Sequence, residues 1–288
     1  QKLVYALLQH DDIDLISTSK GENRLRQKTG YTFESLDITN EREVGGAFAK
    51  HHPDVIINTA AMTNVDACES EKENCWKINV DAVAYLIHEC EKHDTHLIHP
   101  STDFIFDGEN GPYKEDDTPN PQSYYAKSKY ESEQLVQQSN IQWTIIRTII
   151  IYGIVDGMSR SNVVLWAKDA LENGKPINVV DDQFRAPTLA EDLAQGCMSA
   201  AIKGATGIYH ISGKDIMSIL ELVYKVADFY GLDKSLITPI STSSLNQVAR
   251  RPPKTGFILD KAYNELGYEP HSFTEGLEIL THQLKKDG

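Results

Sequence analysis

The sequence is poor in positive charge and has no long apolar run. Its 288 residues include 28 Lys and Arg against 42 Asp and Glu, which gives a formal net charge of −14. A chain this acidic is a poor candidate for binding nucleic acid or an anionic membrane surface. The longest apolar stretch, residues 148–152, is too short to cross a bilayer and is typical of a buried strand. We therefore expect neither a nucleic-acid nor a membrane partner.

Cysteine is also scarce, and its spacing excludes a disulfide or zinc framework. The chain has no CxxC pair and no histidine at zinc-site spacing from two thiols. The thiols are those of Cys68, Cys75, Cys90 and Cys197. Scattered thiols in a chain of this size fit a reducing cytoplasm. Glu191 and Asp192 could bind a metal, but such a pair at a helix start more often complements the helix dipole, so no metal is expected.

Strand and helix patterns alternate over the first half of the chain. Strands are predicted at residues 12–19, 31–38, 54–61, 95–102 and 143–153, and helices at residues 1–10, 41–52, 70–92 and 124–138. Thr39 or Asn40 is expected to cap the second of these helices. Strands joined by helical crossovers indicate a parallel, doubly wound α/β sheet. The run at residues 54–61 is nearly all apolar, as expected of a strand buried on both faces.

The pattern changes beyond Gly153. Helices are predicted at residues 161–172, 189–202 and 217–230, separated by short strands at residues 177–180 and 207–212. Two further helical patterns close the chain. The sequence therefore predicts one domain over residues 1–153 and a smaller α/β lobe over residues 154–288, with some elements of the second half returning to the first domain.

The segment SYYAKSKY, residues 123–130, holds a candidate acid–base pair. Tyr125 and Lys129 are four residues apart and share one face of the predicted helix, whereas Lys127 lies on another face. A neighbouring ammonium stabilises a phenolate and lowers its pKa, so the pair could protonate a carbonyl oxygen. In isolation, YxxxK is more often a pair of surface helix residues.

A hydroxyl at a neighbouring strand end strengthens the catalytic interpretation. The strand at residues 95–102 ends in Ser101 and Thr102, at the edge where parallel sheets bind ligands. Either hydroxyl could hold the same substrate oxygen as Tyr125, although Ser and Thr at strand ends are usually turn formers. The ten histidines, His99 among them, show no metal-like spacing and are expected to be structural.

Ordered motifs along almost the whole chain resemble a known family. They are NTAAMTNVDACESE, STDFIFDGENGPYKEDDTPNP, YYAKSKYESE, IIRTIIIYG, DDQFRAPTLAEDLA and RRPPKTGFILD. Together they resemble extended short-chain dehydrogenases/reductases, and within them the dTDP-4-dehydrorhamnose reductase group. The resemblance implies a Rossmann-type dinucleotide-binding domain at residues 1–153, a substrate-binding lobe at residues 154–288, a nicotinamide cofactor and reduction of a nucleotide-linked 4-keto sugar.

The resemblance also implies roles for individual residues. Tyr125 would be the acid, Lys129 would lower its pKa and hold the nicotinamide ribose, and Thr102 would hydrogen-bond the substrate oxygen, with Ser101 as the alternative. The remaining cofactor contacts would come from Ser19, Asp37, Ile38, Ala60 and Ala61. The sugar pocket would include Thr63, Val65, Phe104 and Arg185.

Three features depart from the reductase pattern. The family's Gly-rich phosphate loop is not found, because the chain starts within the helix that should follow it, and we expect the encoded protein to have it before Gln1. Ile150 replaces an aromatic residue beside the sugar, and Phe104 replaces a common tyrosine. Arg185 replaces a residue that is often small, in a form similar to the regulatory subunit of methionine adenosyltransferase.

Whether the cofactor is NADP(H) or NAD(H) depends on the residues that end the strand predicted at residues 12–19, which corresponds to the second strand of the related family. Residues 17–20 read STSK, and Arg24 and Arg26 follow, so donors and positive charge favour NADP(H), with NAD(H) as the alternative. A solvated loop would have the same composition. Arg250 and Arg251 could bind a substrate pyrophosphate or could pair with the acidic surface.

The leading hypothesis is a cytoplasmic NADP(H)-preferring reductase of a nucleotide-linked 4-keto-6-deoxy sugar, of the dTDP-4-dehydrorhamnose reductase type that serves dTDP-L-rhamnose biosynthesis. The alternative is a non-catalytic NADP-binding subunit that regulates a partner enzyme. A homodimer is compatible with either hypothesis. An epimerase or dehydratase is disfavoured, because Asp103 is followed by Phe104 and not by a second acid.

Overall fold

The computed structural model describes residues 1–158 and 161–287. The first half contains α1 (Lys2–Leu7), β1 (Ile16–Ser19), β2 (Thr32–Ser35), α2 (Glu41–His51), β3 (Val55–Ile57), α3 (Val65–Ser70), α4 (Lys72–Trp76), α5 (Ala82–His93), β4 (His96–Thr102), α6 (Tyr124–Gln138), β5 (Trp143–Thr148) and β6 (Ile151–Tyr152). The second half contains α7 (Val163–Glu172), β7 (Ile177–Val180), β8 (Phe184–Arg185), β9 (Thr188–Leu189), α8 (Ala190–Ile202), β10 (Gly207–His210), β11 (Met217–Ser218), α9 (Ile219–Tyr230), β12 (Ile237–Ile240) and α10 (Phe273–Asp287).

The central layer is a parallel sheet with helices between its strands. Strands β10, β5, β4 and β3 hydrogen-bond in that order, and every pair is parallel. Strands β1 and β2 form a separate parallel pair. The α/β class with a parallel sheet is therefore confirmed. Strand β10 comes from the second half of the chain, beyond Gly153, and forms one edge of the four-stranded sheet.

Strand β3 corrects the prediction of a strand buried on both faces. Only Val55–Ile57 of the predicted residues 54–61 form a strand, and all three side chains are half-buried. Within the described residues, β3 pairs with β4 alone and has no hydrogen-bonded neighbour on its other side. An apolar run cannot distinguish an edge position from a central one, because both positions favour the same residue types.

Helix starts follow their capping residues. Asn40 accepts a hydrogen bond from the amide of Arg42 and so begins α2, which selects Asn40 over Thr39. Ser123 accepts one from the amide of Ala126 and begins α6. The predicted helix at residues 70–92 is instead interrupted at Glu71, where φ is −113° and ψ is 51°, and it includes a π-helical turn at Lys77–Asp81.

The buried interior joins both halves of the chain. One cluster lies under the sheet and includes Ile98, Ile146 and Ile211, and a second packs α7, α9 and α10 around Tyr152. A fully buried ion pair between Arg147 of β5 and Glu133 of α6, 2.8 Å apart, fixes this helix against the sheet. Among the described residues, no helix combines the length and apolarity needed to span a membrane.

Candidate active site

The carboxyl ends of β3 and β4 place the predicted site residues along one edge of the sheet. Thr102 is the last residue of β4, and Ala60 and Ala61 follow β3 after a short connection. Helix α6 packs against β4 and carries Tyr125 in its first turn and Lys129 in its second. Because the strands are parallel, the residues predicted to bind the cofactor and those predicted to be catalytic lie at the same edge of the sheet.

Tyr125 and Thr102 lie close together in the interior. The Thr102 hydroxyl is near enough to the phenol to lower the pKa of Tyr125, and both residues are buried. The Thr102 hydroxyl also accepts a hydrogen bond from the amide of Phe104 at 3.2 Å and donates one to Asp103 at 3.2 Å. By contrast, the buried hydroxyl of Ser101 has no partner among the described residues. The geometry therefore favours Thr102 over Ser101 as the companion of Tyr125.

Lys129 lies one turn further along α6 and is buried. Its Nζ donates to the carbonyl oxygen of Pro100 at 2.8 Å and contacts Nε2 of His99 at 3.2 Å. Desolvation lowers the pKa of this ammonium to about 8, against smaller opposing effects of Glu133 and Cys75. A lysine with this pKa can be held in either protonation state near neutral pH.

The pKa of Tyr125 differs from the sequence prediction. The expected effect of Lys129 was a lowered pKa, whereas burial raises the pKa of this phenol well above its usual value, and the nearby Thr102 hydroxyl opposes that shift only in part. Desolvation outweighs the other influences because the phenolate loses its hydration inside the protein. The raised pKa keeps the proton on Tyr125 until an acceptor arrives, which is the state that an acid requires.

Asp103 connects the strand end to the second half of the chain. Its buried carboxylate hydrogen-bonds the hydroxyl of Thr255 and lies 3.8 Å from Nε of Arg185. Burial raises the pKa of Asp103, and the charge of Arg185 opposes this shift. The guanidinium of Arg185 also donates to the carbonyl oxygens of Pro252 at 2.7 Å and of Phe184 at 2.6 Å. These contacts occupy Arg185 inside the protein, and its predicted role in binding the sugar stays a prediction.

Two of the other predicted sugar contacts, Phe104 and Val65, lie around Tyr125. The ring of Phe104 meets the Tyr125 ring edge-on at 6.2 Å, and Val65, the first residue of α3, packs in the same cluster. Thr63 is exposed and precedes Asn64, the N-cap of α3. Ile150 is half-buried in the connection between β5 and β6. Val65 and Phe104 thus lie near the candidate acid.

The predicted adenine contacts Asp37 and Ile38 lie near the end of β1, where Ser19 was predicted to contact the cofactor. Ser19 ends β1 and is exposed, and Lys20 follows it and pairs with Asp37 at 2.7 Å. The hydrogen bonds of Lys20 and Thr39 lower the pKa of Asp37 to about 2, so this carboxylate stays ionised. Ile38 is half-buried beside it. The structure therefore joins the two polar turns that the sequence assigned to the adenosine.

Two orphaned polar atoms test whether this edge fits a dinucleotide. The side-chain nitrogen of Asn58, after β3, and the hydroxyl of Ser101, near the end of β4, are buried without partners in the described structure. Buried polar atoms normally have partners, so their positions fit a polar ligand laid across the strand ends. Ala60 is exposed and its neighbour Ala61 half-buried, and both have small side chains that would admit a ligand close to the backbone.

The weaker candidates have structural partners. Glu191 pairs with Lys2 at 2.8 Å, and Asp192 pairs with His271 at 2.6 Å. No group of three or more metal-ligating side chains is found in the described part of the chain. Arg251 binds Asp66 at 2.6 Å, so of its two predicted roles the structure shows the ion pair.

Sequence reasoning missed two residues that touch the candidate catalytic groups. His99 was expected to be only structural, yet its Nε2 contacts Lys129, and Asp103 was considered only as evidence against a dehydratase, yet it accepts from Thr102. The sequence positions of both residues already indicated that they lie close to the site. Asp103 adjoins Thr102, and His99 occupies alternate strand positions with Ser101, so these two face the same side of the sheet.

This chain is similar to known reductases and to a subunit of methionine adenosyltransferase. A dTDP-4-dehydrorhamnose reductase of Aggregatibacter actinomycetemcomitans is 32% identical over 260 residues, 86% of this chain and 87% of that protein. Methionine adenosyltransferase 2 subunit beta of Bos taurus is 32% identical over 228 residues, 77% of this chain and 67% of that protein. The crystal structure of the dTDP-4-dehydrorhamnose reductase of Bacillus anthracis in complex with NADP is 26% identical, with a TM-score of 0.83 over 94% of this chain and 100% of that one.

These similarities confirm the resemblance to the reductase group and the Rossmann-type fold. They also confirm the relationship to the regulatory subunit of methionine adenosyltransferase. The family described as the RmlD substrate binding domain matches residues 3–286. The chain belongs to the RmlD substrate-binding-domain family.

Proposed function

We propose that the protein is a nicotinamide-dependent reductase of a nucleotide-linked 4-keto-6-deoxy sugar, with dTDP-4-dehydrorhamnose as the leading substrate. The observation that carries the proposal is the burial of the Tyr125 phenol close to the Thr102 hydroxyl at the end of β4. The reductase relatives support an oxidoreductase that uses a nicotinamide cofactor.

The residues at the sheet edge would hold the cofactor by its two ends. Lys129 would bind the nicotinamide ribose, and Ser19, Asp37 and Ile38 would contact the adenosine. Asn58, close in sequence to Ala60 and Ala61, offers a buried donor that has no partner within the described part of the chain. Once bound, the cofactor would supply a hydride to the carbonyl carbon of the sugar.

The chain's own residues would handle the oxygen and its proton. The hydroxyls of Thr102 and Tyr125 would orient the carbonyl oxygen, and Tyr125 would transfer its proton as negative charge develops there. The product is an alcohol, with one hydride on carbon and one proton on oxygen. The phenolate left on Tyr125 would be stabilised by the Lys129 ammonium until the proton is replaced.

We infer a preference for NADP(H) from Ser19 and Lys20 at the end of β1. The relative solved with NADP supports a nicotinamide cofactor of this kind. We also propose a cytoplasmic location, which the four buried free thiols support. A homodimer is proposed as the assembly, and light scattering of the purified protein tests it.

The test is turnover of dTDP-4-keto-6-deoxyhexose, followed by NADPH absorbance and repeated with NADH. Tyr125→Phe should reduce kcat by about a hundredfold or more, since it removes the acid. Tyr124→Phe is the matched control, because Tyr124 is on the same helix and its ring contacts Trp76 at 6.2 Å. Turnover by Tyr125→Phe within a few-fold of the wild-type rate, or no turnover by the wild-type protein, would overturn the proposal.

A second function is favoured by one comparison. The relative named methionine adenosyltransferase 2 subunit beta is as similar to this chain as the reductase, at 32% identity. A regulatory subunit would bind the host's methionine adenosyltransferase and would show no sugar turnover. Size-exclusion chromatography of the two purified proteins, with the turnover assay on the same sample, distinguishes these functions.

A further inference from the structure

His99 makes a buried contact with the candidate catalytic lysine. It is 1% exposed, and its Nε2 lies 3.2 Å from Nζ of Lys129 and 3.0 Å from the hydroxyl of Ser132. Its other ring nitrogen, Nδ1, has no partner among the described residues. Lys129 has a second partner, the carbonyl oxygen of Pro100, which can only accept. His99 is thus the one partner in the described structure whose hydrogen-bonding role toward Lys129 can change.

The hydrogen bonds of Ser132 decide that role. The hydroxyl of Ser132 donates its single proton to the carbonyl oxygen of Lys129 at 2.7 Å, so toward His99 it can only accept. The proton of the neutral imidazole therefore lies on Nε2 and points toward Ser132. The opposite tautomer would bury an N–H on Nδ1 with no acceptor, which is rare in folded proteins.

This tautomer affects the protonation of Lys129. With its proton directed at Ser132, Nε2 has no lone pair to offer and cannot accept from the Lys129 ammonium 3.2 Å away, so this contact disfavours the charged lysine relative to the neutral one. The other titratable groups that face Lys129 are Glu133 on the same helix and Cys75 on α4, and both act in the opposite direction. His99 itself stays neutral, because burial and the nearby Lys129 lower its pKa well below the usual value.

We propose that His99 is a positioning residue that holds Lys129 between its charged and neutral forms, through an Nε2–H group fixed by Ser132. The proposal rests on the proposed reductase function for its catalytic meaning, since that chemistry needs the Lys129 ammonium beside the Tyr125 phenolate. Because Nδ1 has no partner in the described structure, His99 offers the proton no onward path and acts on Lys129 only.

The first test measures Lys129 directly and needs no turnover. The ¹³Cε resonances of labelled lysines are titrated from pH 6 to 11, and Lys129→Met assigns the resonance of Lys129. His99→Gln supplies an acceptor for the ammonium and a donor for Ser132, so it should raise the pKa of Lys129 by about one unit. Ser132→Ala removes the acceptor that fixes the imidazole proton, and it should shift the pKa of Lys129 in the same direction.

His96→Gln is the matched control. His96 is also buried in β4, but its Nε2 contacts the hydroxyl of Thr144 at 2.8 Å and not Lys129. The Lys129 titration should be unchanged in this variant. The proposal is overturned if His99→Gln and Ser132→Ala both leave the titration of Lys129 where it is, or move it to lower pH. If His99→Gln fails to fold, Ser132→Ala alone decides.

The second test uses the pH profile of kcat/KM for sugar reduction. The active form carries a protonated Lys129, so the rate should fall on the alkaline side as Lys129 loses its proton. His99→Gln and Ser132→Ala should move this alkaline limb upward by the shift seen in the resonance titration, whereas His96→Gln should not. A wild-type protein without turnover would remove the reductase proposal, and the resonance titration would still judge the role of His99.

Discussion

Replacing Lys129 with methionine should make the protein more stable at neutral pH while it abolishes turnover. Desolvation lowers the pKa of Lys129 from 10.5 to about 8 in the folded protein. Below pH 8 the lysine is charged in both states, and the folded state then carries the full cost of burying the ammonium. A difference of about 2.5 pKa units corresponds to roughly 3 kcal/mol.

Part of this gain is offset. Methionine cannot donate to the carbonyl oxygen of Pro100, and the loss of such a hydrogen bond costs about 1 kcal/mol. The net stabilisation of Lys129→Met at pH 7 is therefore about 2 kcal/mol, which is equivalent to a rise in Tm of roughly 3 °C. The variant should gain stability and lose activity, as expected when a charged group that catalysis needs is buried away from water.

The pH dependence gives the sharper test. Between pH 8 and 10.5 the unfolded chain binds more protons at this position than the folded protein does, so wild-type stability gains with rising pH. Lys129→Met lacks this contribution, and its advantage over wild type should disappear by about pH 10.5. Other groups titrate in both proteins and cancel in the difference.

The assay is urea unfolding of wild type, Lys129→Met and Lys127→Met at pH 7, 8.5 and 10. Lys127 is exposed on the same helix, so its replacement should change the unfolding free energy by no more than about 0.5 kcal/mol at each pH. A Lys129→Met protein that is less stable than wild type at pH 7 would refute the reasoning. So would a stability difference that is the same at pH 7 and pH 10.

Two sets of substitutions test close packing and a buried ion pair. A Cβ on Gly213 would lie 2.1 Å from the carbonyl oxygen of Pro187, so Gly213→Ala should destabilise the protein by about 2 kcal/mol or more. Gly46 on α2 faces open space, and Gly46→Ala should stabilise the protein by about 0.5 kcal/mol. Thermal unfolding measures both changes. Glu133→Leu removes the carboxylate that pairs with the buried Arg147 and should lower the free energy of unfolding by about 3–5 kcal/mol. Much of this loss should be recovered in the double variant Glu133→Leu/Arg147→Met. Equal losses of stability in the single and double variants would contradict this.

The sequence predicted those parts of the site that depend on local spacing. Tyr125 and Lys129 are separated by four residues on one helix, and Thr102 ends a strand whose direction is fixed by the parallel sheet. Helix and strand periodicity therefore sufficed to bring them together. Periodicity could not decide whether Thr102 or Ser101 is the companion of Tyr125, because that depends on how α6 packs against β4.

What the sequence could not predict are the consequences of burial. The expected lowering of the pKa of Tyr125 assumed that a charge four residues away would dominate, whereas desolvation of the phenol raises the pKa instead. The same limitation affected Arg185, whose spacing gave no sign that its guanidinium donates to the carbonyl oxygen of Pro252. Contacts between distant segments decide both outcomes.

The position of Arg185 bears on the choice between the two proposed functions. This residue is where the chain departs from the reductase pattern toward the regulatory subunit, and a regulatory role would be supported if its side chain faced a partner. Its guanidinium is instead 3.8 Å from Asp103 and bonded to backbone carbonyls, and the side chain is almost completely buried. Asp103 in turn accepts a hydrogen bond from Thr102. Arg185 thus supports the strand end that carries the candidate catalytic hydroxyl, which favours the reductase.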